Sequence, residues 1–133
     1  MKPAKIIHGI LAANSGVTAL VSTRLYVQRV PQNGSFPCVQ YNIIDIVPVK
    51  SKSKSGDSDF SRVQINCYGK SYSVSTELAD AVRTALEAYS GTINTIKVSY
   101  IELLTVSEAV DDNSENDSIY DTMLEFMMYY RNG

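Results

Sequence analysis

His8 is the only histidine among the 133 residues, and histidine is the side chain that acid–base catalysis at neutral pH uses most often. It lies within KIIHGIL, among Ile6, Ile7 and Ile10, where a structural role fits better than proton transfer. The two thiols, Cys38 and Cys67, are too few for a disulfide scaffold. Both fall in stretches that alternate like strands, where a free cysteine behaves as a small buried hydrophobe. A zinc site built from His8, Cys38 and Cys67 would still need a distant carboxylate to complete its tetrahedron. No nucleophile elbow, phosphate-binding loop, HExxH or supported GxGxxG occurs. The plentiful serines have no base at a recognisable spacing. The reading is therefore of a chain that is not an enzyme and has no cofactor, metal or small-molecule substrate.

Charge is the remaining chemistry, and it gathers in two polar segments. KSKSKSGDSD, residues 50–59, places Lys50, Lys52 and Lys54 ahead of Asp57 and Asp59. These five residues are a candidate contact loop for a partner or for phosphates. The plainer reading is a solvated hairpin tip whose charge discourages edge aggregation. No aromatic lies among the lysines to stack on bases, which argues against sequence-specific readout. The second segment, DDNSENDS, holds Asp111, Asp112, Glu115 and Asp117, a candidate second contact loop. A net charge of −2 provides no global basic field to collect nucleic acid. The alternative function is accordingly narrow: a small nucleic-acid-binding module that works through the Lys50–Lys54 loop.

The elements that must position these loops follow from periodicity. Pro3 suits a first helical turn, and Ile6, Ile7, Ile10 and Leu11 make an apolar stripe. Asn14-Ser15-Gly16 breaks that helix, and Ser15 is placed to cap a second piece carrying Val17, Leu20 and Val21. No run approaches the roughly 20 apolar residues of a membrane span. No small-residue cleavage site follows the N-terminal stretch, so it is read as a helix and not as a leader. Arg24–Val30 reads as a short strand. Phe36-Pro37 opens the next, with Val39, Tyr41 and Ile43 on one face and Ile44 and Ile46 on the other. With Phe60–Tyr68 it makes a long antiparallel hairpin. A helix over about Val74–Tyr89 carries Leu78, Ala81, Val82, Ala85, Leu86 and Tyr89 on one stripe, with Ser90-Gly91 as its stop. Strands over about Ile96–Val106 and Ile119–Arg131 complete one α+β domain spanning residues 1–133.

The last strand departs from the pattern of a half-exposed sheet. Leu124, Phe126, Met128 and Tyr130 line one face, and Met123, Met127 and Tyr129 line the other. A strand with one face in water alternates apolar with polar. Either helices cover both faces, or a second subunit covers one. With one long helix and one broken helix available, the expectation is a homo-oligomer whose interface strand carries Met123, Met127 and Tyr129.

Two stretches carry a family resemblance. VTALVSTRLYVQRVPQNGSFPCVQY, Val17–Tyr41, is followed by RVQINCYGKSYSVSTELADAVRTAL, Arg62–Leu86. Together they resemble the tail-completion, or tail-terminator, proteins of long-tailed bacteriophages and prophages. The shared features are an Arg-Leu-Tyr strand, a Pro-Gln turn, a Phe-Pro strand start, and an Arg-Val-Gln-Ile-Asn strand leading into a helix. The resemblance implies a ring-forming α+β subunit, usually a hexamer. Such a ring caps the head-proximal end of the tail tube, stops its polymerisation and meets the head connector, while DNA passes through its opening. It implies a virion location, assembly in the bacterial host cytoplasm, no membrane, and no catalytic residues.

Overall fold

The structure, a computed structural model, describes residues 2–30, 36–49, 58–111 and 118–131. Its elements are α1 (Lys2–Ala13), α2 (Ser15–Val21), β1 (Leu25–Val27), β2 (Cys38–Val49), β3 (Ser58–Gly69), α3 (Tyr72–Leu86), β4 (Gly91–Ile93), β5 (Ile96–Asp111) and β6 (Ile119–Arg131). The α+β class expected from the pattern is the one found. Six strands form one sheet in the order β1-β2-β3-β6-β5-β4. All neighbours are antiparallel except β1, which runs parallel to β2. The long hairpin is β2–β3, in register from Cys38↔Tyr68 to Val49↔Ser58.

One face of this sheet is dry. Val39, Tyr41, Val63, Ile65, Cys67, Leu124, Phe126, Met128, Tyr130, Val98 and Ile101 form one cluster with the apolar stripes of all three helices. From α1 come Ile6, Ile7, Ile10 and Leu11; from α2, Val17 and Val21; from α3, Leu78, Ala79, Val82 and Leu86. The axes of α1 and α2 bend by 86° at Asn14, so both short pieces lay their stripes on the core. Among the described residues no single helix is long and apolar enough to cross a membrane.

α3 is fastened to the sheet as well as packed on it. Ser75 Oγ lies 2.8 Å from the Cys67 carbonyl, to which it donates, and 2.8 Å from Thr122 Oγ1. Gly69, between β3 and α3, allows this approach. A Cβ there would stand 2.9 Å from the Ser75 backbone nitrogen, which no side chain tolerates without movement of the helix.

Several local expectations shift, each for a visible reason. Asn14, not Ser15, caps α2, its side chain accepting from the Val17 N–H at 3.1 Å. α3 starts two residues earlier than its apolar stripe suggested, because Ser71 caps it by accepting from Val74 N–H. It ends at Leu86, ahead of Ser90-Gly91. Ala88 turns to φ 60° and donates to the Ile101 carbonyl at 2.9 Å, which draws the chain onto β5. β1 stops at Val27 because Gln28 takes φ 66°. β4 was not legible in the sequence. Finally, the register slips between Ile43 and Asp45. This bulge makes Ile44 the extra residue and returns Ile46, opposite Ser61, to the helix face.

Candidate interaction surface

α1, α2 and α3 all lie on the same side, so no helix covers the second face of the sheet among the described residues. The face expected to be dry turns out graded. At the end near the β2–β3 turn it is apolar and aromatic: Val47, Phe60, Tyr129 and Tyr100 form one row by register. Phe60 and Tyr129 pack at 6.0 Å between ring centroids, tilted by 41°. Next comes a charged band. Arg62 lies 3.7 Å from the Asp45 carboxylate and 3.8 Å from Glu125, and its backbone N–H donates to Asp45 Oδ1 at 3.2 Å. These pairs are partly exposed and add little stability, but they fix the direction of the guanidinium.

The opposite end is polar and closed. Asn66, only 6% exposed, donates from Nδ2 to Asp121 Oδ2 at 3.0 Å and to the Tyr68 hydroxyl at 3.2 Å. It accepts from Gln64 at 3.1 Å. The Tyr68 hydroxyl donates to Gln40 Oε1 at 2.8 Å, and Gln40 Nε2 donates to the Gln28 carbonyl. Phe36 stands edge-on to Tyr68 at 6.3 Å. The Gln28–Val30 segment and Phe36 thus overhang this end, leaving a cleft of about 440 Å³ floored by Gln40, Tyr68 and Asp121. Burial raises the Asp121 pKa, with the Asn66 hydrogen bond acting in the opposite sense. Its Oδ1 is buried without a partner among the described residues.

The interface strand expected from the sequence is placed on this face, and its three residues occupy different surroundings. Tyr129, 36% exposed, belongs to the aromatic row. Met127 lies opposite Arg62 and Glu102, and Met123 opposite Asn66 and Ser107. Lys50, Lys52, Lys54 and Asp57 of the first candidate loop lie outside the described residues, as do Asp112, Glu115 and Asp117 of the second. Asp111 is the last residue of β5. Asp59 belongs to β3 and not to the loop, and at 8% exposed it sits opposite Tyr130. The Tyr130 phenol is pushed up to about 12 by burial and by the Asp59 charge. Sequence reasoning missed Phe60, Val47 and Tyr100. Phe60 was within reach, being two residues from Arg62, whereas the bulge at Ile44 concealed the face of Val47.

Among the described residues no three His, Cys, Asp or Glu side chains could hold a metal ion together. Cys38 and Cys67 are free and buried, and burial pushes the Cys38 thiol up to about 11 and Cys67 higher still.

No curated protein sequence matches this chain. A chain from a solved structure described as the virion of a native gene transfer agent particle has the same fold. It superposes with a TM-score of 0.69 at 16% identity, over 95% of this chain and 92% of that one. A second solved chain matches more loosely, at a TM-score of 0.48 and 10% identity over 88% of this chain and 87% of that one. Residues 5–131 match the family model of tail completion protein gp17. The match runs from α1 to the end of β6, and so the chain belongs to the tail completion protein gp17 family, structural proteins of the virion tail.

Proposed function

We propose that this chain works as a ring, a hexamer by the family pattern, that ends the tail tube and joins it to the head connector. Its partners are further copies of itself, the tube protein and a neck protein, and DNA only passes through the opening. It performs no catalysis. The observation that carries this reading is family membership over residues 5–131 together with a sheet whose second face has no helix and presents Val47, Phe60, Tyr100 and Tyr129. The fold match to a chain of a gene transfer agent virion agrees with a place in a tailed particle. On this reading the graded face meets protein, its aromatic end giving burial and its charged band giving register.

Removal of the gene from a phage or prophage that carries it tests the proposal. The expected outcome is filled heads separate from tails whose tubes vary in length, with joining restored by the chain supplied in trans. Joined particles with tails of normal length would contradict it.

A further inference from the structure

The sheet has two stretches of edge without a hydrogen-bonded neighbour among the described residues. On one side β1 pairs with β2 only over Val39–Tyr41, and Gln28 N–H reaches the Tyr41 carbonyl. Asn42–Val49 is left bare. On the other side β4 pairs with β5 only over Ile96–Val98, and Ala88 covers the Ile101 carbonyl. Leu103–Asp111 is left bare. Unpaired edges of this length are templates for another strand.

The two bare runs complement each other. Ile43, Val63, Phe126 and Leu103 share one row across the sheet. The bare run of β2 lies on one side of that row and the bare run of β5 on the other. Three successive antiparallel pairings separate β2 from β5, so the two strands run in opposite directions. A second copy in the same orientation, slid along the strands, therefore brings its β2 beside this β5 as an antiparallel pair. The second copy's β1 then lies in line with this β5, and β4 in line with the second copy's β2.

The guards on the two edges also differ. The β2 run carries the Ile44 bulge and Pro48, which gives no N–H, while the β5 run has a register shift of its own between Leu103 and Thr105. Residues 105–110 of β5 contain no proline, glycine or lysine. Val106 is 47% and Val110 53% exposed, and both await same-face neighbours.

We propose that Thr105–Val110 of β5 pairs antiparallel with the Asn42–Val49 edge of a second copy, a head-to-tail contact that continues the sheet from subunit to subunit. The contact rests on the two edges, and its closure rests on the ring reading above. Each step moves about 20 Å along the strands and about 19 Å across four of them, at roughly 3.3 Å per residue and 4.8 Å per strand. The strand tilt that results, about 45°, is at the upper end of the range closed barrels use.

Cysteine cross-linking tests this. Ile46 and Val106 both lie on the helix face, opposite Ser61 and Leu124 respectively, with β3 and β6 between their strands. A disulfide between them within one chain is therefore out of reach. Oxidation of the I46C/E108C variant, in which Glu108 lies opposite Thr122 on the same face, or of I46C/V106C for a two-residue slip, should give a ladder of linked oligomers on a non-reducing gel. The single variants should give none. Native mass spectrometry of the same samples separates the two claims. Oligomers without cross-links from either pair would overturn the edge pairing and leave the ring standing. A chain that remains monomeric at high concentration, both alone and in the presence of tail tubes, would overturn both.

Discussion

Phe60 of β3 and Tyr129 of β6 face each other across the sheet, ring centroids 6.0 Å apart, on the side that no helix covers. An aromatic pair of this kind is a natural anchor for a protein contact. Tyr129→Glu places a charge on a residue already 36% exposed, so the folded subunit should keep its circular dichroism spectrum and its melting temperature to within a few degrees. Assembly should suffer instead. A loss of about 2 kcal/mol per contact, roughly thirtyfold in dissociation constant, is expected by analytical ultracentrifugation.

Ser75 and Thr122 predict a stability effect inside the subunit. Ser75→Ala removes bonds to both Cys67 and Thr122 in a buried site, and should cost about 1–3 kcal/mol in urea unfolding. Thr122→Ala should cost less, since Ser75 retains the Cys67 carbonyl. The double variant should lose less than the sum of the two, because the Ser75–Thr122 bond is counted once.

Gly69→Ala asks whether the junction of β3 and α3 has room. The new Cβ meets the Ser75 backbone nitrogen at 2.9 Å and Val74 Cγ1 at 3.0 Å. The helix must move, and Ser75 moves with it. A loss of about 1–3 kcal/mol is expected, with the Ser75→Ala effect smaller in this background than in the native chain.

Asp121 predicts a pH dependence. Burial raises its pKa, so the folded chain holds the proton more tightly than the unfolded one. Its charge therefore weakens the fold at neutral pH, and the penalty fades as pH falls towards the raised value. Asp121→Asn should be the more stable protein at neutral pH, with the gap narrowing as pH falls through the acid range in matched denaturant titrations. A gap that widens as pH falls would contradict this account.

Much of this architecture was legible because the strong signals were local. The stripe of Leu78, Val82 and Leu86 could only be a helix on a core. The alternation of Val63, Ile65 and Cys67 could only be a strand with one dry face. The errors arose where tertiary contacts overrode local pattern. The Ile44 bulge reversed the face of Ile46 and Val47, and no feature of IDIVP announces a bulge. Asp59 reads as loop by composition, yet pairing with Tyr130 carries β3 past it. Met123, Met127 and Tyr129 do share the second side of β6, but that side is graded instead of dry, and its neighbours were not foreseen. Only the register shows that Tyr129 shares a row with Phe60 while Met123 stands beside the polar Asn66. The contact residues of a subunit of this kind depend on cross-strand neighbours far apart in sequence, which periodicity does not report.

Native mass spectrometry of the purified chain, followed by imaging of the particles, tests the central claim most directly. A single closed oligomer with one definite subunit number, seen as a ring with an open centre, is the predicted result. A chain that stays strictly monomeric at high concentration, both alone and in the presence of tail tubes, would contradict it.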